Sequence, residues 1–226
     1  IKKYRETREL SVVFIVDISG SQFFGTQTAL KKERIAEIVA TLAFSAVANG
    51  DRCALIMYSD RLEKFLPARK GRNRALEILR EILYHEPLGK GSSLKGACEY
   101  AGKILKKRSV VFLISDFIDS GYEKAMGILA RKHDLIAMQV LDESELELPR
   151  AGVLRLQDPE TGRIQYVNSG SETLRNAYRA KVELQQKALA ENLKAMTCDY
   201  LLFRNSESYV KTLRRFFLAR SRRSQR

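Results

Sequence analysis

The residues best equipped for chemistry are oxygen donors placed just after apolar runs. Asp17-Ile18-Ser19-Gly20-Ser21 follows directly on residues 11–16 (SVVFIV), and Asp116 follows residues 109–115 (SVVFLIS). Between them in the chain lies a glycine-rich loop carrying Gly91, Ser92 and Ser93. Carboxylates and hydroxyls are hard donors that suit Mg²⁺, Mn²⁺ or Ca²⁺ rather than zinc. Two-residue steps from Asp17 to Ser19 to Ser21 in an extended turn direct alternate side chains toward one point. Gly20 lets the backbone bend there without a side chain in the way.

Positioning these groups is the task of alternating strands and helices. The runs at 11–16, 53–58 (CALIMY), 109–115 and 135–141 (LIAMQVL) are apolar and rich in β-branched residues, as strands covered on both faces require. Residues 28–48 place Ile35, Ile38, Val39, Leu42, Ala43, Ala46 and Val47 at helical spacing, and Asn49-Gly50 stops that helix. Further helices are expected at 73–83, 94–107 and 122–131, with a short edge strand at 62–66 closed by Pro67. This alternation predicts an α/β fold with a mainly parallel central sheet and helices on both faces. Ligands of such sheets sit at the C-terminal ends of the strands, where Asp17 and Asp116 fall.

The later sequence predicts a hairpin insertion at 152–168 turning at 159–162, and a long helix at 171–195 capped by Ser171 or Thr173. That helix should bury Leu174, Tyr178, Val182, Leu189, Leu193 and Met196. A strand at 200–203 and a helix opened by Ser206 complete a single domain over residues 1–226, with the basic C-terminal helix at 206–226. The 226 residues, 45% hydrophobic and 30% charged, suit one globular unit with a real core.

DISGS at 17–21, a hydroxyl loop at Gly91-Ser92 and Asp116 after VVFLIS together resemble the metal-ion-dependent adhesion site of von Willebrand factor A domains. That pattern is DxSxS, then a distant Thr, then a distant Asp. The resemblance implies that Ser19 and Ser21 ligate the ion directly and that Ser92 stands in the threonine's place. Asp17 and Asp116 would act mainly through bound water and through hydrogen bonds to the serines. Ser93 and Asp119 are neighbouring competitors for two of these roles, and Phe117 follows Asp116 where the family often has Gly. The charged lead-in at 4–10 and the helix-strand-helix ending at 171–223 resemble a bacterial branch, domain of unknown function fifty-eight. It implies a non-enzymatic interaction module that offers Mg²⁺ (or Mn²⁺/Ca²⁺) to a carboxylate on a partner protein, a MoxR-type AAA+ ATPase being the expected one.

Other chemistries fit less well. Gly89-Lys90-Gly91-Ser92 misses a phosphate-binding P-loop twice, since position 84 is Tyr and position 91 is Gly. An aspartyl phosphotransferase or metal-dependent phosphohydrolase would want an acid where Ser19 stands. His85 and His133 are too isolated for zinc or for a Ser-His-Asp site and are expected at the surface or partly buried, His133 at the opposite edge of the sheet. Phe23 and Phe24 are either core residues or an aromatic grip beside the metal. The formal charge of +13, with seven basic residues and no acid over 211–226, leaves nucleic acid or an anionic surface as an alternative partner. Cys53, Cys98 and Cys198 form no CxxC pair and are expected to be buried free thiols in a reducing, cytoplasmic setting. No apolar run nears the ~18 to 20 residues that span a bilayer, and membrane association is expected only through an upstream segment.

Overall fold

The computed structural model describes residues 10–23, 31–89, 91–157 and 162–224, with the side chains of Phe23 and Ser224 left aside. Strands β1 (Ser11–Asp17), β2 (Arg52–Tyr58), β3 (Leu62–Arg69), β4 (Val110–Ser115), β5 (Asp134–Leu141) and β8 (Asp199–Arg204) form one sheet in the order β3-β2-β1-β4-β5-β8. All its pairings are parallel except β2 with β3. Strands β6 (Val153–Gln157) and β7 (Ile164–Asn168) pair only with each other, antiparallel. The helices are α1 (Lys31–Ala48), α2 (Arg72–Tyr84), α3 (Leu94–Ile104), α4 (Glu123–Lys132), α5 (Glu143–Leu146), α6 (Glu172–Ala195) and α7 (Tyr209–Ser224).

Strand periodicity divides the core. Val12, Phe14 and Val16 of β1 pack with α1, α2 and α7, while Val13 and Ile15 pack with α3, α4 and α6. Burial on both faces explains why β1, β2, β4 and β5 read as continuous apolar runs rather than alternating ones. The expected α/β architecture, a mainly parallel central sheet with helices on both faces, is therefore the observed one. β1 lies between β2 and β4, and the order reverses there, so the crevice between the C-terminal ends of β1 and β4 is the site the topology prepares.

Several expectations are corrected. β3 does not close at Pro67 but runs through it to Arg69, because an edge strand leaves the missing N–H facing no neighbour. α3 stops at Ile104 instead of 107, α7 opens at Tyr209 rather than 206, and the short helix α5 was unforeseen. Ser171, not Thr173, caps α6, accepting from the Leu174 amide. Of the predicted α6 face only Leu189 and Leu193 are buried, and Leu174 is 38% exposed, because the sheet supports only the last turns of this helix. The expected hairpin turn at 159–162 and the helix start at 28–30 lie wholly or partly outside the described residues, as does Phe24.

This register of α6 can be measured. Leu193→Ala, at a fully buried position, should cost about 2–5 kcal/mol of unfolding free energy. Leu184→Ala, at a position 69% exposed, should stay within about 0.5 kcal/mol of the parent in the same urea titration.

Candidate metal centre

The five oxygen-bearing residues singled out in the sequence converge in the β1–β4 crevice. Asp17 is the last residue of β1 and has no solvent exposure. Its Oδ1 accepts the Ser19 amide at 2.9 Å. Its Oδ2 accepts the Ser92 hydroxyl at 2.9 Å and the Ser115 hydroxyl at 3.0 Å. Asp116, directly after β4, accepts the Ser21 hydroxyl at 2.6 Å, and the Ser19 and Ser21 hydroxyls lie 3.2 Å apart. One connected network thus joins the chain at 17–21, at 92 and at 115–116.

The local conformation differs from the extended turn expected after β1. Residues Gly20–Phe23 form a single 3-10 turn, in which Gln22 N donates to Ser19 O at 3.0 Å. The turn, not strand alternation, folds Ser21 back beside Ser19. It also brings Gln22 Nε2 within 3.2 Å of Asp116 Oδ2.

The two competing residues have other duties. Ser93 is the N-cap of α3, accepting the Gly96 amide at 3.3 Å, and Asp119 accepts the Leu94 amide at 2.8 Å. Both therefore serve the first turn of α3. Ser92 is the member of the pair that reaches Asp17. Its loop is held from below by Glu63, which accepts the Leu88 amide at 3.2 Å, the Gly89 amide at 2.8 Å and the Ser59 hydroxyl at 2.5 Å. A methyl group on Gly89 would lie 2.3 Å from Ser59 Oγ and 2.2 Å from Asp60 Oδ1, so only glycine lets this loop lie so close.

Phe117 takes φ +58, the left-handed region that favours glycine. This gives a reason for the Gly common at that place in the resembling family. Here the turn is held by the Phe117 amide donating to Ser115 Oγ at 3.1 Å and by the Phe117 ring packed against Tyr122, centroids 6.2 Å apart.

Other participants escaped sequence reasoning. Lys31 is fully buried, 3.0 Å from Glu145 and 3.7 Å from Asp116. Glu145 belongs to α5, more than a hundred residues away, and no spacing rule joins it to Lys31. Gln139 Nε2 donates to the Asp116 carbonyl at 2.7 Å. Ser115 stood in view as the last residue of an apolar strand, and its polarity there was the available signal.

The histidines are elsewhere. His133, expected at the surface or partly buried, is buried ahead of β5 at the opposite edge of the sheet, and its Nδ1 accepts the Ser109 amide at 3.3 Å. His85 lies behind Glu63, its Nε2 3.7 Å from that carboxylate. All three cysteines are buried and free.

Electrostatics test whether a cation fits. Burial, and then the neighbouring Asp116, push the Asp17 carboxyl above its ordinary 3.8. Among the described residues, Asp17, Asp116 and Glu145 bring three potential negative charges together, against the ammonium of Lys31. A divalent ion would balance the remainder. Among the described residues no group of three or more His, Cys, Asp or Glu could hold a metal. The candidate set therefore depends on hydroxyls as well as carboxylates. Neighbouring ligands of an octahedral Mg²⁺ shell stand about 3 Å apart, close to the Ser19–Ser21 separation. Gln22 Oε1, buried beside them, has no hydrogen-bond partner among the described residues, which leaves a further oxygen for an ion or its water.

The fold and this cluster define an α/β domain with an oxygen-lined crevice at its topological switch point. The chain belongs to the family described as "Protein of unknown function DUF58", whose pattern matches residues 1–188. An uncharacterized protein of Mycobacterium tuberculosis is 26% identical over 218 residues, which cover 95% of this chain and 68% of that one. In structure, an aerotolerance-related membrane protein from Bacteroides fragilis aligns with a TM-score of 0.62 at 15% identity, over 91% of this chain and 97% of that one. The conserved hypothetical protein BatB from Bacteroides thetaiotaomicron aligns with a TM-score of 0.53 at 16% identity, over 83% of this chain and 98% of that one. These structural likenesses concern the fold.

The raised Asp17 pKa carries a stability sign. The folded state holds its proton more tightly than the unfolded state, so without metal this group's contribution to stability falls as pH rises above 3.8 through the raised value. Asp17→Asn is therefore expected to leave the metal-free melting temperature at pH 7 unchanged or raised, in EDTA, by differential scanning calorimetry. Gly89→Ala, which displaces the Ser92 loop, should weaken Mg²⁺ binding by about 10- to 100-fold in titration calorimetry while the circular dichroism spectrum stays that of the parent.

Proposed function

We propose that this chain is a non-enzymatic, divalent-metal-dependent protein-interaction module. The observation that carries the reading is the single hydrogen-bond network joining Asp17, Ser19, Ser21, Ser92 and Asp116 in the crevice. When bound, Mg²⁺ (or Mn²⁺/Ca²⁺) would supply a positive centre for a carboxylate. Ser19, Ser21 and Ser92 would hold it directly, and Asp17 and Asp116 would hold it through water. The chain's own part is orientation. Asp17 fixes Ser92 and the Ser19 backbone, and Asp116 fixes Ser21, so the neutral hydroxyls present their lone pairs outward. Hydroxyl ligands cancel none of the ion's charge, which favours capture of an external acidic side chain over hydrolytic chemistry.

The partner in this reading is a MoxR-type AAA+ ATPase, as the resemblance in the sequence implies, in assembly or maturation of other protein complexes. The free thiols support a cytoplasmic setting, and among the described residues no helix is long and apolar enough to cross a membrane.

Saturating Mg²⁺ at about 100 times its dissociation constant should stabilise the fold by about 2.7 kcal/mol. In a chain of this size that corresponds to a rise in melting temperature of about 5–10 °C, and Ser19→Ala/Ser21→Ala should abolish it. Capture of the ATPase by the immobilised chain should be lost in EDTA and restored by Mg²⁺. Equal capture with and without chelator would overturn the reading.

A further inference from the structure

Charge is divided between the two edges of the sheet. The C-terminal edge, with the crevice, carries Asp60, Glu63, Asp119, Asp142 and Glu143 beside Asp17 and Asp116, with Arg61 on Asp60 and Lys31 beside Asp116 as their counter-charges. At the opposite edge a group of basic residues gathers. The turn into β4 supplies Lys106, Lys107 and Arg108, the end of α4 supplies Arg131 and Lys132, and the last turn of α7 supplies Arg222. All six are exposed, and none has an ion pair among the described residues.

The acids in the turns at this edge are already engaged. Asp51 accepts the Leu10 amide at 3.1 Å. Asp199 pairs with Arg220 at 2.9 Å and with Arg223 at 3.2 Å, and Asp134 also pairs with Arg220. Buried His133 registers the resulting field. Burial first, then Lys132 and Arg108, push its pKa below 6.5.

Neutralising helix ends accounts for only part of this charge. Arg131 and Lys132 lie in the last turn of α4, where a cation offsets the helix dipole. Lys106, Lys107 and Arg108 lie beyond the end of α3 at Ile104 and serve no helix turn. The basic groups come from three separate segments beside β4, β5 and β8, neighbouring strands that together span about 10 Å of the edge. That is a face rather than a groove. Among the described residues its turns bear no exposed aromatic side chain on which bases could stack. Leu10, 46% exposed where the chain enters β1, and Leu218, 53% exposed one turn before Arg222, add apolar side chains that a lipid interface accepts and a phosphodiester backbone does not.

We propose that the N-terminal edge of the sheet docks on an anionic membrane surface, leaving the oxygen-lined crevice pointing away from the lipid toward protein partners. The contact is electrostatic, draws on several loops rather than on the C-terminal helix alone, and is independent of the metal.

The test uses the whole chain in EDTA, so that the metal-binding edge contributes nothing. It is sedimented with vesicles of phosphatidylcholine alone or of phosphatidylcholine and phosphatidylglycerol at about 70:30. Binding is expected only to the anionic vesicles, and it should fall steeply as salt is raised from about 0.1 to 1 M. Lys106→Ala/Lys107→Ala/Arg108→Ala should lower the partition coefficient roughly 100-fold, and Arg131→Ala/Lys132→Ala roughly 30-fold. Both variants should keep the parent melting temperature, and either one suffices if the other does not fold. Arg214→Ala/Arg215→Ala, on the outward face of α7, should cost no more than a few-fold. Equal binding to neutral vesicles would overturn the proposal. So would binding to duplex DNA or RNA, or to polyglutamate, without binding to anionic vesicles. Loss confined to the α7 variant would overturn it as well.

Discussion

Two carboxylates, Asp17 and Asp116, held without full hydration at the end of adjacent parallel strands, are the constraint around which the structure is organised. Burying like charges close together is costly, and burial together with Asp116 pushes the Asp17 carboxyl upward. The surroundings answer with donors: hydroxyls of Ser92 and Ser115 on Asp17, that of Ser21 on Asp116, and the ammonium of Lys31 between Asp116 and Glu145. Each donor comes from a different segment, so the requirement at one point fixes the mutual placement of β1, β4, the loop before α3 and α1.

The supports around the crevice show how little tolerance that arrangement has. Glu63, on the antiparallel edge strand, ties down Leu88 and Gly89, and through them the loop that carries Ser92. Gly89 admits no Cβ. Phe117 accepts a left-handed backbone so that Asp116 can turn into the crevice while Ser115 remains available to Asp17. These features lie outside the contacting oxygens, yet they decide whether the oxygens meet. The two ends of the sheet also differ: exposed basic residues without an ion pair among the described residues gather at the far edge, away from the oxygen-lined crevice.

Much of the fold was legible before any coordinates. β-branched apolar runs specify strands buried on both faces, and the glycine and asparagine after residue 48 stop a helix wherever it lies. The position of Asp17 and Asp116 at strand ends followed from those runs. Less legible was α6, whose apolar spacing suggested a longer buried face than Leu189 and Leu193 provide. Periodicity records which side chains share a stripe, not whether a neighbour is present to cover it. Pro67 read as a terminator because sequence cannot tell an edge strand from a central one.

The sequence by itself determined the donor chemistry: hydroxyls and carboxylates, few histidines, and no pairing of cysteines. It also determined the alternation that makes a mainly parallel sheet, because backbone hydrogen bonding and residue periodicity are local properties. Only the tertiary structure decided that Ser92 rather than Ser93 reaches Asp17 and that Asp119 serves α3. It alone placed a buried lysine from α1 between Asp116 and Glu145. Those outcomes depend on distances between segments far apart in the chain, and such distances are set by how helices pack across the sheet.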